Sequence, residues 1–132
     1  MERTSLIVDD DPRIAYLLAL VLKEAGYEVA TASSLLDGLV HLRTPRPTLV
    51  LVDVHLPDGD GLDLCRWIRS DGDDRTTVIV CTADHRPAVT VKALAAGADD
   101  VVTKPFSVEE LRARIDAAVR RRDYGASAAS VA

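Results

Sequence analysis

The chain has 132 residues, of which 48% are hydrophobic, and a formal net charge of -5 at pH 7. That length suits one domain with a single core, and the acidic balance excludes nonspecific attraction to nucleic acid as its main activity. There is no signal peptide and no apolar run of about 18 residues, which predicts a cytoplasmic protein without membrane contact. Cys65 and Cys81 lie inside apolar stretches without a neighbouring histidine or cysteine, which indicates buried thiols.

Short apolar runs alternate with amphipathic helical segments along the chain. The runs predict five strands, at residues 6–8, 27–30, 49–52, 78–81 and 101–102. Apolar residues at helical spacing follow each run and predict five helices: Ile14, Leu17, Leu18, Val21 and Leu22; Leu35, Leu36, Leu39 and Leu42; Leu62, Cys65 and Ile68; Val91, Leu94 and Ala95; Leu111, Ile115 and Val119. This α/β pattern predicts a five-stranded parallel sheet, doubly wound as (βα)5 in the flavodoxin-like order 2-1-3-4-5.

The last ten residues differ in composition from the rest. Residues 1–122 show no composition shift and are predicted to form the domain. Residues 123–132 are rich in alanine and serine and have no periodic apolar face. They are therefore predicted to be a flexible tail or the start of a linker.

Aspartates follow two of the predicted strands directly. Asp9, Asp10 and Asp11 come after the first strand, and Asp53 comes after the third. In the order 2-1-3-4-5 these two strands flank the switch point of the sheet, so that Asp9, Asp10 and Asp53 converge in one crevice. Like charges gathered there favour a bound cation. Asp11 has a structural explanation, because an aspartate before Pro12 is a good helix N-cap.

Two further polar residues stand at strand ends, Thr82 after the fourth strand and Lys104 after the fifth. Together with the aspartates they form a pattern that resembles the receiver domain of bacterial two-component response regulators over residues 4–121. The matching motifs are Asp9-Asp10, Asp53 with Pro57 and Gly61 after it, Thr82-Ala83, and Lys104-Pro105-Phe106.

The resemblance implies that Asp53 accepts a phosphoryl group from a sensor histidine kinase, with Mg²⁺ bound beside it. Asp10 and Asp53 would be direct ligands of the metal, the backbone carbonyl of His55 a third, and Asp9 a ligand through water. The side chains of His55 and Asp84 would border the water that hydrolyses the acyl phosphate. The chain would then be a signalling switch, and an enzyme only in assisting its own phosphotransfer and dephosphorylation.

The resemblance also gives roles to the residues that follow the last two strands. Lys104 would offset phosphoryl charge, and Thr82 would hydrogen-bond a phosphoryl oxygen. The peptide bond between Lys104 and Pro105 would be cis. Many receivers carry an aromatic residue three positions before the lysine, where this chain has Val101, so that the usual coupling of threonine to aromatic ring is in question.

Charged residues late in the chain resemble those of OmpR/PhoB-type receivers. There, opposite charges on the fourth helix, fifth strand and fifth helix pair between the protomers of a phosphorylated homodimer, and a DNA-binding domain follows. Transcription regulation would then act through an effector domain that this chain does not contain. Lys92 with Glu110 and Asp100 with Arg114 are the candidate pairs, and solvated or intramolecular charges are the alternative. The full candidate interface set is Lys92, Asp99, Asp100, Glu110, Arg114 and Arg121.

Other functions are weighed against this one. Haloacid-dehalogenase-like phosphatases, which also use an aspartyl nucleophile, need a second acid where this chain has His55. A flavin-binding module needs a glycine- and hydroxyl-rich loop after the first strand, where three aspartates would repel phosphate. Two alternatives stay open: a stand-alone single-domain response regulator, and a receiver-like interaction domain that acts without phosphorylation, which Val101 alone favours.

Overall fold

The computed structural model describes residues 3–42, 45–70, 72–73 and 75–131, with side chains up to residue 125. Ala132, at the end of the predicted tail, lies outside the described residues. In this part of the chain five strands form the main sheet: β1 (Thr4–Val8), β2 (Glu28–Ala32), β3 (Leu49–Val52), β4 (Thr77–Thr82) and β5 (Asp100–Thr103). Five helices alternate with them: α1 (Pro12–Glu24), α2 (Leu35–His41), α3 (Leu62–Ser70), α4 (Pro87–Ala95) and α5 (Val108–Val131).

The main sheet is entirely parallel, in the order β2-β1-β3-β4-β5. Successive strand residues face opposite sides, so that Leu6 and Val8 pack with α2, α3 and α4, whereas Ile7 packs with α1 and α5. Strands buried on both faces explain why the apolar runs are continuous rather than alternating. The predicted doubly wound fold and strand order are confirmed.

Capping side chains fix the ends of the first two helices. Asp11 caps α1 as predicted, and its carboxylate accepts a hydrogen bond of 2.9 Å from the amide of Arg13. Ser34 caps α2, and Asp58 adds hydrogen bonds of 2.7 and 3.0 Å from the amides of Leu35 and Leu36. Asp58 lies in an antiparallel hairpin of two-residue strands, 55–56 and 59–60, which follows β3 and was not predicted. The hairpin thereby ties the segment after Asp53 to α2.

The last helix is longer than its apolar pattern predicts. The periodic apolar positions end at Val119, yet α5 continues to Val131. Alanine has the highest helix propensity, so that an alanine-rich segment extends a helix without an apolar face to bury. The domain boundary at residue 122 stays a prediction.

Both cysteines are buried among apolar side chains, as predicted. Burial raises the pKa of the Cys65 thiol and of the Cys81 thiol to about 12 in each case. Thiols with such pKa values are poor nucleophiles at neutral pH. Over the described ranges, no helix has the length and apolar content needed to cross a membrane.

Candidate functional site

The register of the sheet brings the polar strand ends to one edge. Val8 pairs with Val52 in the parallel ladder, so that Asp9 and Asp53 lie side by side, and the amide of Asp53 donates to the Val8 carbonyl at 3.0 Å. On the other side of β4, the amide of Lys104 donates to the Thr82 carbonyl at 2.8 Å. Four strand ends therefore meet at the carboxyl edge of the sheet, where open α/β sheets bind ligands.

The Lys104 ammonium bridges two buried carboxylates. Its Nζ lies 2.7 Å from Asp9 Oδ2 and 2.9 Å from Asp53 Oδ2, and Asp9 and Asp53 are only 4% and 9% exposed. Burial raises the pKa of Asp9 above its ordinary value, although the hydrogen bond from Lys104 opposes this. Burial would lower the pKa of Lys104, but its hydrogen bonds to both aspartates outweigh that effect and raise the pKa. Lys104 is therefore held as an ammonium ion.

Asp10 completes an acidic cluster with Asp9 and Asp53. One carboxylate oxygen from each residue lies within 4.8 Å of the other two, and Asp10 is exposed. Hard oxygen ligands gathered in this way suit Mg²⁺, which commonly binds through one or two carboxylates and keeps several waters. The exposed side of the cluster leaves room for those waters.

The backbone around Asp53 requires a glycine nearby. Asp53 Oδ1 accepts a hydrogen bond of 3.2 Å from the amide of His55. Gly61 packs directly on the Asp53 carbonyl, and a Cβ at that position would collide with it. The amide of Gly61 donates to the Val54 carbonyl at 2.7 Å, which holds the two segments together. Gly61 therefore fixes where the backbone of Asp53 lies.

Thr82 ends β4 in a fully buried position. Its Oγ1 accepts a hydrogen bond of 3.2 Å from the amide of Asp84. The peptide bond between Lys104 and Pro105 is cis, as the resemblance implies. Val101 is half-buried and packs against the core cluster on the α2, α3 and α4 face, so that an aliphatic side chain fills the position of the expected aromatic ring.

A polar network connects the hairpin with the loop after β4. Nε2 of His55 lies 2.9 Å from Asp84 Oδ2, and Arg86 contacts the same carboxylate at 2.6 and 2.9 Å. Hydrogen bonds from Arg86, and then from His55, hold the pKa of Asp84 below its ordinary range. Arg86 was missed in the sequence, and the only available signal was its position two residues after Asp84.

Comparison with known protein families agrees with this geometry. The family model described as "Response regulator receiver domain" matches residues 5–116. The chain belongs to this receiver family.

The relatives of this receiver are OmpR/PhoB-type regulators. It is 39% identical over 93% of its length to "DNA-binding response regulator MtrA" of Mycolicibacterium smegmatis, and 43% identical over 92% to "Transcriptional regulatory protein GltR" of Pseudomonas aeruginosa. These matches cover 53% and 51% of the relatives, so the chain spans about half the length of the curated relatives it matches.

Solved structures show the same fold. A CheY-like receiver from Methanospirillum hungatei superposes with a TM-score of 0.87 at 28% identity, covering 95% of this chain and 99% of the other. DrrB, described as a Thermotoga maritima OmpR/PhoB homologue, gives a TM-score of 0.81 at 35% identity, covering 92% of this chain and 54% of that protein.

The charged face of this receiver, on α4, β5 and α5, is paired largely within the protomer. Arg114 contacts Asp100 at 3.2 Å and Glu110 at 3.0 Å. Lys92 is exposed on α4. In the single chain, Arg114 therefore forms its ion pairs with Asp100 and Glu110 of the same molecule, which is the intramolecular alternative to pairing between protomers.

Asp99 and Arg121 lie differently from the other four candidates. The carboxylate of Asp99 contacts Arg69 and Arg122 of its own chain, and its side chain is 13% exposed. Arg121 donates to the backbone carbonyl of Asp99 at 3.3 Å. The Asp99 side chain therefore faces the body of the domain, whereas Arg121 is exposed.

Proposed function

We propose that the chain is a phosphorylation-dependent switch of a two-component system, in which Asp53 accepts a phosphoryl group from a sensor histidine kinase. The observation that carries the proposal is the arrangement of Asp53, which shares the Lys104 ammonium with buried Asp9 and lies within 4.8 Å of an Asp10 oxygen. Phosphoryl transfer to a carboxylate needs three groups: the nucleophilic carboxylate, a fixed cation and a cluster of hard oxygens.

In this function a carboxylate oxygen of Asp53 attacks the phosphorus of a phosphohistidine. An O–P bond forms as the P–N bond breaks, and the kinase imidazole leaves with the bonding electrons. Lys104 shifts part of its hydrogen bonding from the aspartates to the arriving phosphoryl oxygens. Thr82, at the neighbouring strand end, donates its hydroxyl to one of those oxygens, and this new bond pulls on the loop after β4.

The acidic cluster fits Mg²⁺. Asp10 and Asp53 would bind the ion directly, Asp9 through water, and the carbonyl of His55 would supply a third protein ligand. Bound there, the ion would neutralise charge on the transferring phosphoryl group. The protein contributes the placement of these oxygens, since Asp9 and Asp53 follow paired residues of β1 and β3.

The proposed output is self-association through the charged face on α4, β5 and α5, leading to transcription regulation in the cytoplasm. The names of the relatives, which describe DNA-binding and transcriptional regulators, support this output. DNA contact would be made by an effector domain outside this chain. An interaction domain that acts without phosphorylation is the second candidate, and Val101 in place of an aromatic residue favours it.

The proposal is tested by incubating the chain with acetyl phosphate, with and without Mg²⁺, and measuring its intact mass. We expect the gain of one phosphoryl group only with Mg²⁺, and no gain in Asp53→Asn. Asp63→Asn, which removes an exposed carboxylate of α3, is the matched control and should be modified normally. An Asp53→Asn protein that gains the same mass would overturn the assignment.

A further inference from the structure

A cleft lies at the amino edge of the sheet, where the strands begin, and therefore at the opposite end of the strands from Asp53. It has a volume of about 720 Å³ and opens between the segments that lead into β3 and β4 and the second half of α5. Small-molecule sites commonly have volumes of about 300–1,000 Å³. The cleft is therefore large enough for a small ligand, and it shares no lining residue with the phosphorylation site.

Thr77, the first residue of β4, lines this cleft with a hydroxyl group that has no protein partner among the described residues. The residue is only 1% exposed, yet no fully enclosed side-chain oxygen or nitrogen in the described ranges lacks a hydrogen-bond partner, so the Thr77 hydroxyl opens toward the cleft. The neighbouring Thr76 hydroxyl, in contrast, lies 2.7 Å from Asp73 Oδ2 and 3.1 Å from the Pro47 carbonyl. Buried polar groups normally have such partners, which leaves the Thr77 hydroxyl available to a ligand.

Two exposed side chains of opposite charge line the same cleft from two different elements. Arg75 lies in the turn before β4, and Asp123 lies on α5. Within the part of the chain that the structure describes, neither side chain forms an ion pair or a hydrogen bond. The other charged side chains of the cleft already form ion pairs within the protein: Arg46 with Asp73 at 3.0 Å, and Arg122 with Asp99 at 2.7 Å.

Most of the remaining surface of the cleft is apolar. Pro47, which is buried, lines it from the β3 side, and Val119, which is half-buried, lines it from α5. A ligand with only a negative charge would match Arg75 but meet Asp123, and a ligand with only a positive charge would have the reverse problem. A molecule that carries both charges and an apolar body matches every part of this lining.

We propose that this cleft binds a small zwitterion with an apolar body, of the chemical class of an α-amino acid. The ligand carboxylate pairs with the Arg75 guanidinium and the ligand ammonium with the Asp123 carboxylate. The Thr77 hydroxyl, which can donate or accept, bonds whichever of these two groups lies deeper. The site goes beyond the proposed function and does not rest on it, because Asp53 and its neighbours take no part.

Titration of the full chain with L-leucine, followed by the backbone amide shifts in NMR spectra, tests the site. We expect saturable shifts in residues 75–77 and 119–123, with a dissociation constant on the order of 1 mM because the two charged groups are exposed. L-leucinamide, which lacks the carboxylate, and N-acetyl-L-leucine, which lacks the ammonium, should each bind about tenfold more weakly. Leucine that produces no saturable shifts in these residues, or binds no better than both analogues, would overturn the proposal.

Two variants assign the charges of the ligand to the two side chains. Arg75→Gln should remove the preference for leucine over leucinamide, and Asp123→Asn should remove the preference over N-acetyl-leucine. Arg13→Gln, which changes an exposed arginine of α1, is the control and should keep both preferences. If both preferences persisted in Arg75→Gln or in Asp123→Asn, the proposed orientation of the ligand would be wrong.

Thr77→Val, which removes the hydroxyl from a side chain of similar shape, provides an independent test. Without ligand, this variant should not lower the free energy of unfolding, because the hydroxyl has no protein partner to lose, whereas Thr76→Val should lower it. Thr77→Val should nevertheless bind leucine about fivefold more weakly. Equal destabilisation by the two variants, or unchanged leucine binding in Thr77→Val, would contradict the role of this hydroxyl.

Discussion

Lys104 balances the charge of the site at the scale of single residues. It lies within hydrogen-bonding distance of both buried aspartates, 2.7 Å from Asp9 and 2.9 Å from Asp53. Without it, two buried carboxylates would face each other with no counter-charge from the protein. The two carboxylates would then repel each other, unless one of them took up a proton.

Lys104→Ala should lower the free energy of unfolding at neutral pH by about 1–3 kcal/mol, because a mostly buried ion pair loses one partner. Chemical denaturation without Mg²⁺ measures this, with Lys23→Ala on the exposed face of α1 as the control. The variant should still accept a phosphoryl group but lose the dimerisation that follows. Wild-type stability in Lys104→Ala would contradict the charge-balancing role.

Gly61 shows how a residue without chemistry of its own sets the site. Gly61→Ala should destabilise the domain by about 1–3 kcal/mol, because its methyl group would overlap the Asp53 carbonyl. It should also slow phosphorylation, since the Asp53 backbone must move. Gly125→Ala is the control, because a Cβ there meets no described atom within 4 Å. If Gly61→Ala matched the wild type in its unfolding curve and phosphorylation rate, the close approach of Gly61 to the Asp53 carbonyl would be contradicted.

At the scale of elements, connecting segments are fixed by aspartates that accept several hydrogen bonds each. Asp58 joins the hairpin to α2. Asp73 holds the turn before β4, where it accepts from the amides of Arg75 and Thr76 and from the Thr76 hydroxyl. These short segments fix the positions at which the strands begin and end, and therefore the positions of the site residues that follow the strands.

Asp73 predicts an acid-dependent part of the stability. Burial alone would raise its pKa, but hydrogen bonds from Thr76, Arg75 and Arg46 outweigh it and lower the pKa from 3.8 to about 2. Since the folded-state pKa is depressed, the stabilisation is complete above the unfolded value and is lost as pH falls through the folded one. The advantage of the wild type over Asp73→Asn in unfolding free energy should therefore shrink between about pH 4 and pH 2. A difference independent of pH would refute this.

At the scale of the whole molecule, the sequence predicts the sheet and the site edge well, because continuous apolar runs and the polar residues after them are local patterns. The orientation of Asp99 was not predictable, since Asp99 and Asp100 look alike in sequence and only the turn around Arg69 separates them. The hairpin strands are too short to show a periodicity. Helix α5 continues past its apolar positions through an alanine-rich segment of high helix propensity, and its Arg121 and Arg122 contact Asp99.

The self-association face predicts a charge-exchange result for the phosphorylated chain. Lys92→Glu and Glu110→Lys should each weaken the dimer, because each places like charges across a two-fold interface. A mixture of the two variants should dimerise again, since both inter-protomer pairs then have opposite signs. Analytical ultracentrifugation of each variant and of the mixture measures this, and a mixture no better than either variant alone would exclude the Lys92–Glu110 pair.

The proposed function requires that the acyl phosphate forms on Asp53. Borohydride treatment of the phosphorylated chain converts an aspartyl phosphate to homoserine. Peptide mass spectrometry then locates the converted residue. We expect conversion at residue 53 alone, dependent on prior phosphorylation with Mg²⁺. Conversion at Asp9, Asp10 or another carboxylate, with residue 53 unchanged, would contradict it.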